Sequence, residues 1–141
     1  MQNYFHKNNK NDSELFRKIE QVCEGLTYIS EADAPIQAFF GQPTDTVTGE
    51  IILQQAGLSP ESVIEEKNFS DLFVRLATIK DWHGEAEIAR AKKFLELKTL
   101  LEENLRDLKV FRIGKRRLDI FAVGIDQDGN LMGVTTTAVE T

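Results

Sequence analysis

At 141 residues the chain is long enough for one domain burying roughly 68–70% of the surface its unfolded form exposes. Its 41% hydrophobic and 28% charged composition excludes an intrinsically disordered protein, and nothing nears the ~18 consecutive apolar residues of a membrane span. A net charge of −6, from 23 acidic and 17 basic side chains, repels nucleic acid unless the basic residues gather on one face. It suits a basic partner, or plain solubility.

Cys23 is the single cysteine, so no internal disulfide forms; its place among helical apolar residues marks it as core filler. The opening Met1-Gln2-Asn3-Tyr4-Phe5-His6-Lys7 is polar and has no apolar signal core, which makes the cytoplasm the expected location. No linker and no repeat divides the chain. The expected organisation is a flexible tail over residues 1–11 and a single domain over 12–141.

In chain order, Leu15, Phe16, Ile19, Val22, Cys23 and Leu26 recur at helical spacing, with Asn11, Asp12 or Ser13 available as cap. After Pro35, residues 36–40 read as a short strand ending at Gly41. Residues 47–53 suit either a buried strand or a helix; Asp45 or Thr46 as cap and Gly57 as stop favour the helix. Val63-Ile64 is a short extended piece. Ser70 is the expected cap of the next helix, with Phe69 stapled to Val74. A long helix is expected over 85–107, burying Ile88, Ala91, Phe94, Leu95, Leu101, Leu105 and Leu108, with Glu102 and Arg106 paired on its wet side. Strands at 110–113, 118–125 and 131–139 follow, reversed at Gly114-Lys115 and Asp128-Gly129. Helices must cover such a meander. The fold class is α+β, an α/β/α sandwich with a mainly antiparallel sheet covered by helices.

Chemistry is sparse. His6 and His83 lie far apart, and no HExxH, CxxC, Walker or GxGxxG pattern occurs. The 124–129 stretch hints at a calcium loop but lacks the ligand series and distal Glu, so it reads as a hairpin turn. Lys115-Arg116-Arg117 with Arg112 is the one basic cluster; without interleaved aromatics it reads as a solvated hairpin tip. Three features remain: the acidic loop Ser30-Glu31-Ala32-Asp33, the Asp81-Trp82 pair between two helices, and the terminal carboxylate of Thr141. Each has a bland reading: a solvated or capping turn, a core anchor, and a frayed end.

Those features sit within a wider pattern. Val110-Phe111-Arg112-Ile113-Gly114, Leu118-Asp119-Ile120, Gly129-Asn130-Leu131 and the ending Val139-Glu140-Thr141 resemble the cyanobacterial nuclease A inhibitor family. So do Gly25-Leu26 leading to Ser30-Glu31, Glu50-Ile51, Leu53-Gln54-Gln55 and Asp81-Trp82, in order from about Asp12 to Thr141. The resemblance implies an α/β/α sandwich and a non-enzymatic role: blocking a sugar-nonspecific, magnesium-dependent nuclease of the ββα-metal type. It implies partner-binding roles for Glu31, Asp81, Trp82 and Thr141, the last approaching the partner's magnesium only in the complex. No cofactor, no direct nucleic-acid contact and no membrane is implied, and the free protein is expected to be a monomer. The chain departs from its relatives at His83-Gly84, where they tend to be more acidic, and at its basic 115–117 triplet. The rival reading is a binding module with another target. An enzyme reading, motivated only by the loop carboxylates, requires a concave pocket gathering two or more titratable groups.

Overall fold

A computed structural model describes residues 13–140. The expected tail over 1–11, the alternative caps Asn11 and Asp12, and the terminal Thr141 lie outside the described residues.

The first helix, α1 (Glu14–Cys23), begins where the Ser13 side chain accepts the Phe16 N–H at 3.0 Å, and it buries Phe16, Ile19, Val22 and Cys23. Burial raises the Cys23 thiol to about 12, so it stays protonated and packs as an apolar group. Two very short strands, β1 (Thr27–Tyr28) and β2 (Ala34–Pro35), then form an antiparallel ribbon. Two residues a side give no readable alternation, and the sequence showed no sign of them.

The strand expected over 36–40 is β3 (Gln37–Pro43), which continues past Gly41. Alternate side chains serve opposite faces: Phe40 meets Phe16 edge-on at 5.6 Å, and Phe39 meets Phe121 at 5.5 Å. The ambiguous 47–53 stretch enters α2 (Gly49–Ala56), capped by Thr48 rather than Asp45 or Thr46 and stopped by Gly57 at φ 70°. Gln55 of α2 accepts the Gln42 N–H at 2.6 Å and donates to the Gln42 carbonyl at 3.3 Å. A side chain at Gly41 would strike that same Gln55 amide, which explains a glycine inside a strand.

Next come β4 (Ile64–Lys67), longer than the Val63-Ile64 piece, and α3 (Phe69–Ala77). Asn68, not Ser70, caps α3 by accepting the Asp71 N–H at 2.9 Å. With Phe69 already in the first turn, its i+4 neighbour is Phe73, on which it stacks at 4.5 Å. Val74 therefore points away and is 55% exposed, so the expected staple does not form.

The long helix α4 (Glu85–Asn104) ends three residues before the expected Asp107, because β5 (Arg106–Gly114) begins at Arg106. Glu102 accordingly pairs with Lys98 at 2.9 Å instead of Arg106. Phe94, Leu97 and Leu101 form the buried stripe. Leu95, expected inside, is 52% exposed, one position off that stripe. The meander completes with β6 (Arg117–Ile125) and β7 (Asn130–Val139).

The five strands run antiparallel in the order β3-β7-β6-β5-β4, an α+β fold. Helices α1, α3 and α4 cover one face, over Val110, Ile120, Met132 and Val134. The single helix α2 covers the other, over Phe111, Phe121, Val123 and Leu131. Both faces of the central strands are thus apolar, and β7 lies inside the sheet, with its C-terminal end close to β6. Among the described residues no helix is long and apolar enough to cross a membrane.

Candidate functional site

The acidic loop connects β1 to β2, and its shape comes from its own short polar side chains. The Ser30 N–H donates to an Asp33 carboxylate oxygen at 3.1 Å, and the Ser30 hydroxyl donates to the Ala32 carbonyl at 3.0 Å. Asp33 is thereby occupied in closing the turn, while Glu31 is exposed at its apex. The ribbon is then tied to β7. The Thr136 hydroxyl donates to the Pro35 carbonyl at 2.9 Å, the Val139 N–H donates to the Ser30 hydroxyl at 3.2 Å, and the Glu31 N–H donates to the Val139 carbonyl at 3.4 Å. The loop bearing Glu31 therefore sits against the last residue of the last strand.

Glu140 follows immediately and is also held. Its N–H donates to the Arg116 carbonyl at 2.8 Å, in the turn between β5 and β6. Its carboxylate pairs with the Arg112 guanidinium, which has Glu65 3.9 Å away on its other side. Burial alone would lower the pKa of Arg112, but the hydrogen bond and charge of Glu140, then Tyr28 and Glu65, raise it on balance. The cation is permanent. Arg112 is a β5 residue gripping the chain end, not part of a solvated hairpin tip; only Lys115, Arg116 and Arg117 of the basic cluster are exposed.

Asp81 and Trp82 occupy the turn between α3 and α4. The His83 N–H donates to the Lys80 carbonyl at 3.0 Å, and the Lys80 N–H returns to His83 Nδ1 at 3.0 Å. This reciprocal pair closes the turn and leaves Trp82 on the outside, 74% exposed. The core-anchor reading of Trp82 fails on that number. The Lys80 ammonium lies 5.2 Å from the Trp82 ring centroid and the His83 ring meets it edge-on at 5.7 Å, so the indole has neighbours that orient it. Gly84 starts α4 with its N–H on the Glu87 carboxylate at 2.8 Å.

The two loops share a groove. A depression of about 310 Å³ has Thr27, Tyr28 and Ile29 along one wall and Thr78, Lys80 and His83 along the other. Ile29 and Ile79, 52% and 49% exposed, add apolar surface beside these loops. Neither stood out in sequence, since a β-branched residue in a loop reads equally well as buried. Ser30 and Arg112 were also missed as working parts; their partners lie 109 and 28 residues away, a separation only strand register bridges.

A second hollow of about 230 Å³ gathers Tyr28, Lys67, Asp71, Arg75 and Arg112, so a concave site with several titratable groups does exist. It contains none of the loop carboxylates that motivated an enzyme reading, and two of its cations are engaged: Lys67 with Glu65 at 3.3 Å, and Arg112 as above.

With this geometry in place, the match to known families is informative. The model of the nuclease A inhibitor-like protein family, NuiA, matches residues 13–141. The chain belongs to that family. The match spans nearly its whole length, including the acidic loop, the Asp81-Trp82 turn and the C-terminal residues. No relative among curated proteins matches the chain. Family membership points to a nuclease as the partner and to a non-catalytic role.

Proposed function

We propose that this protein inhibits a sugar-nonspecific, magnesium-dependent nuclease of the ββα-metal type by occupying its active site. In this reading, residues 12–141 act as one inhibitor domain, monomeric when free, in the cytoplasm. Glu31, Asp81, Trp82 and Thr141 form the contact surface, and the Thr141 carboxylate approaches the partner's magnesium.

The observation that supports it best is the pair of hydrogen bonds tying Ser30 and Glu31 to Val139. They bring the exposed Glu31 and the end of β7 to one place, as imitation of a phosphodiester backbone requires. Carboxylate oxygens are hard ligands for magnesium and form charge-assisted bonds with the arginines that bind phosphate. A loop and a strand end already hydrogen-bonded to each other lose little further freedom on binding, which favours affinity. Trp82, Ile29 and Ile79 supply exposed apolar area for the contact. The net charge of −6 speeds encounter with a basic enzyme.

The test is titration of a ββα-metal nuclease with the protein in magnesium, following DNA cleavage. Complete loss of activity near equimolar protein is the expected result. Full cleavage at large excess, across several such nucleases, overturns the reading. The second reading, a binding module with another target, is favoured by Lys80 and His83 flanking Trp82 and by the exposed 115–117 triplet beside Glu140. It predicts a captured partner whose binding depends on Trp82 and Glu31 while every such nuclease remains active.

A further inference from the structure

We propose that Ser30 and Arg112 are positioning residues that fix the course of Val139 and Glu140 as the chain leaves the sheet. The inference rests on the inhibitor reading for its purpose, but the geometry is independent of it. The last residues of a chain ordinarily fray, because nothing beyond them offers partners. Here, Val139 and Glu140 are engaged by three separate elements. The β1–β2 loop contributes the Ser30 hydroxyl to the Val139 N–H and the Glu31 N–H to the Val139 carbonyl. The β5–β6 turn contributes the Arg116 carbonyl to the Glu140 N–H. Strand β5 contributes the Arg112 guanidinium to the Glu140 carboxylate.

Sheet register explains how Arg112 reaches so far. Arg112 lies opposite Ile120, Ile120 opposite Thr136, and alternation places residues 136, 138 and 140 on the same face as Arg112. The Arg112 side chain is 24% exposed and that of Glu140 52%, so solvent screens the pair in part and its role is to direct the chain more than to stabilise the fold. Backbone on one side and side chain on the other leave Glu140 little choice of direction. Val139 and Glu140 held this way need no ordering step at the moment of binding.

The experiment uses Arg112→Met, which keeps the aliphatic stem, Glu140→Gln, which keeps the shape, their double variant, and Arg112→Lys as the conservative partner. Two readouts are taken. The first is amide hydrogen exchange at Val139 and Glu140 in the free protein, where both single variants are expected to exchange about tenfold faster while central β6 amides and the urea midpoint stay unchanged. The second is inhibition of the nuclease, expected to weaken about tenfold in each single variant, with the double no worse than the poorer single and partial rescue by Arg112→Lys. Ser30→Ala is expected to act in the same direction through the Val139 amide. Unchanged exchange at residues 139 and 140 overturns the positioning role whatever the inhibition shows, and so does full additivity of the two substitutions. Should the wild-type protein inhibit no nuclease while exchange behaves as expected, the inhibitor reading falls and the positioning device stands.

Discussion

Two acidic turns flank β7, each closed by an aspartate, and they differ in how far their carboxylates are buried. At its start, Asp126 is 6% exposed, and one of its carboxylate oxygens accepts the N–H groups of Asp128 and Asn130, each at 2.9 Å. Gly129, at φ 84°, completes the reversal, and its carbonyl receives the Thr44 N–H at 3.0 Å. At the other end of the strand, Asp33 closes the β1–β2 loop while Glu31 stands exposed at the apex, its backbone N–H on the Val139 carbonyl. In sequence both stretches are short, acidic and polar. The difference is burial: Asp126 is enclosed with the amides it accepts, whereas Glu31 faces solvent, where a partner can reach it. The faint calcium-loop pattern at 124–129 is a turn because its buried acid is already satisfied.

That contrast is breakable. The largest effect is expected outside both turns: three residues added after Thr141 should weaken nuclease inhibition roughly 1000-fold, about 4 kcal/mol, with an unchanged urea midpoint. Inhibition undiminished by the extension removes the inserted-end mechanism. Asp126→Ala should cost about 2 kcal/mol of stability in urea unfolding, since two backbone amides, that of Asn130 buried, lose their acceptor, yet the folded fraction should inhibit as before. A nearly neutral result would mean that the buried turn is not structural in the sense argued. Glu31→Gln should do the reverse, weakening inhibition about 30-fold, near 2 kcal/mol, while shifting stability by no more than about 0.5 kcal/mol. Trp82→Ala should resemble Glu31→Gln in both respects, because an indole so exposed contributes little to the core. Asp33→Ala gives the smallest effect, about 1 kcal/mol of stability for the lost bond to Ser30, with inhibition falling only as far as the loop loosens.

The core elements were legible in sequence because their signals are local. The stripe of Phe16, Ile19 and Val22, the glycine reversals at Gly114 and Gly129, and the β-branched Thr135, Thr136 and Thr137 each report on neighbours a few residues away. Helix starts were less secure. Thr48 and Asn68 cap where Asp45 or Thr46, and Ser70, were expected, since any nearby hydroxyl, carboxylate or amide side chain can cap and packing selects among them. The end of α4 was misplaced for a related reason. Leu105 and Leu108 continue the helical spacing, but Leu105 caps α4 and strand pairing of Arg106 with Ile125 claims Leu108 for β5, where Asp107 takes φ 57° beside a bulge.

The sequence by itself determined the class of the fold, the antiparallel meander and the family, because periodicity, turn chemistry and an ordered series of short matches are all written along the chain. It also named Glu31, Asp81, Trp82 and Thr141 as the residues to test. Only the tertiary structure decided that Trp82 faces outward, that the acidic loop rests on Val139, and that Arg112 belongs to the chain end instead of a basic tip. Those facts depend on which residues meet across strands after folding. Hydrogen bonds and ion pairs between residues 28 or 109 positions apart leave no periodic trace in the chain that makes them.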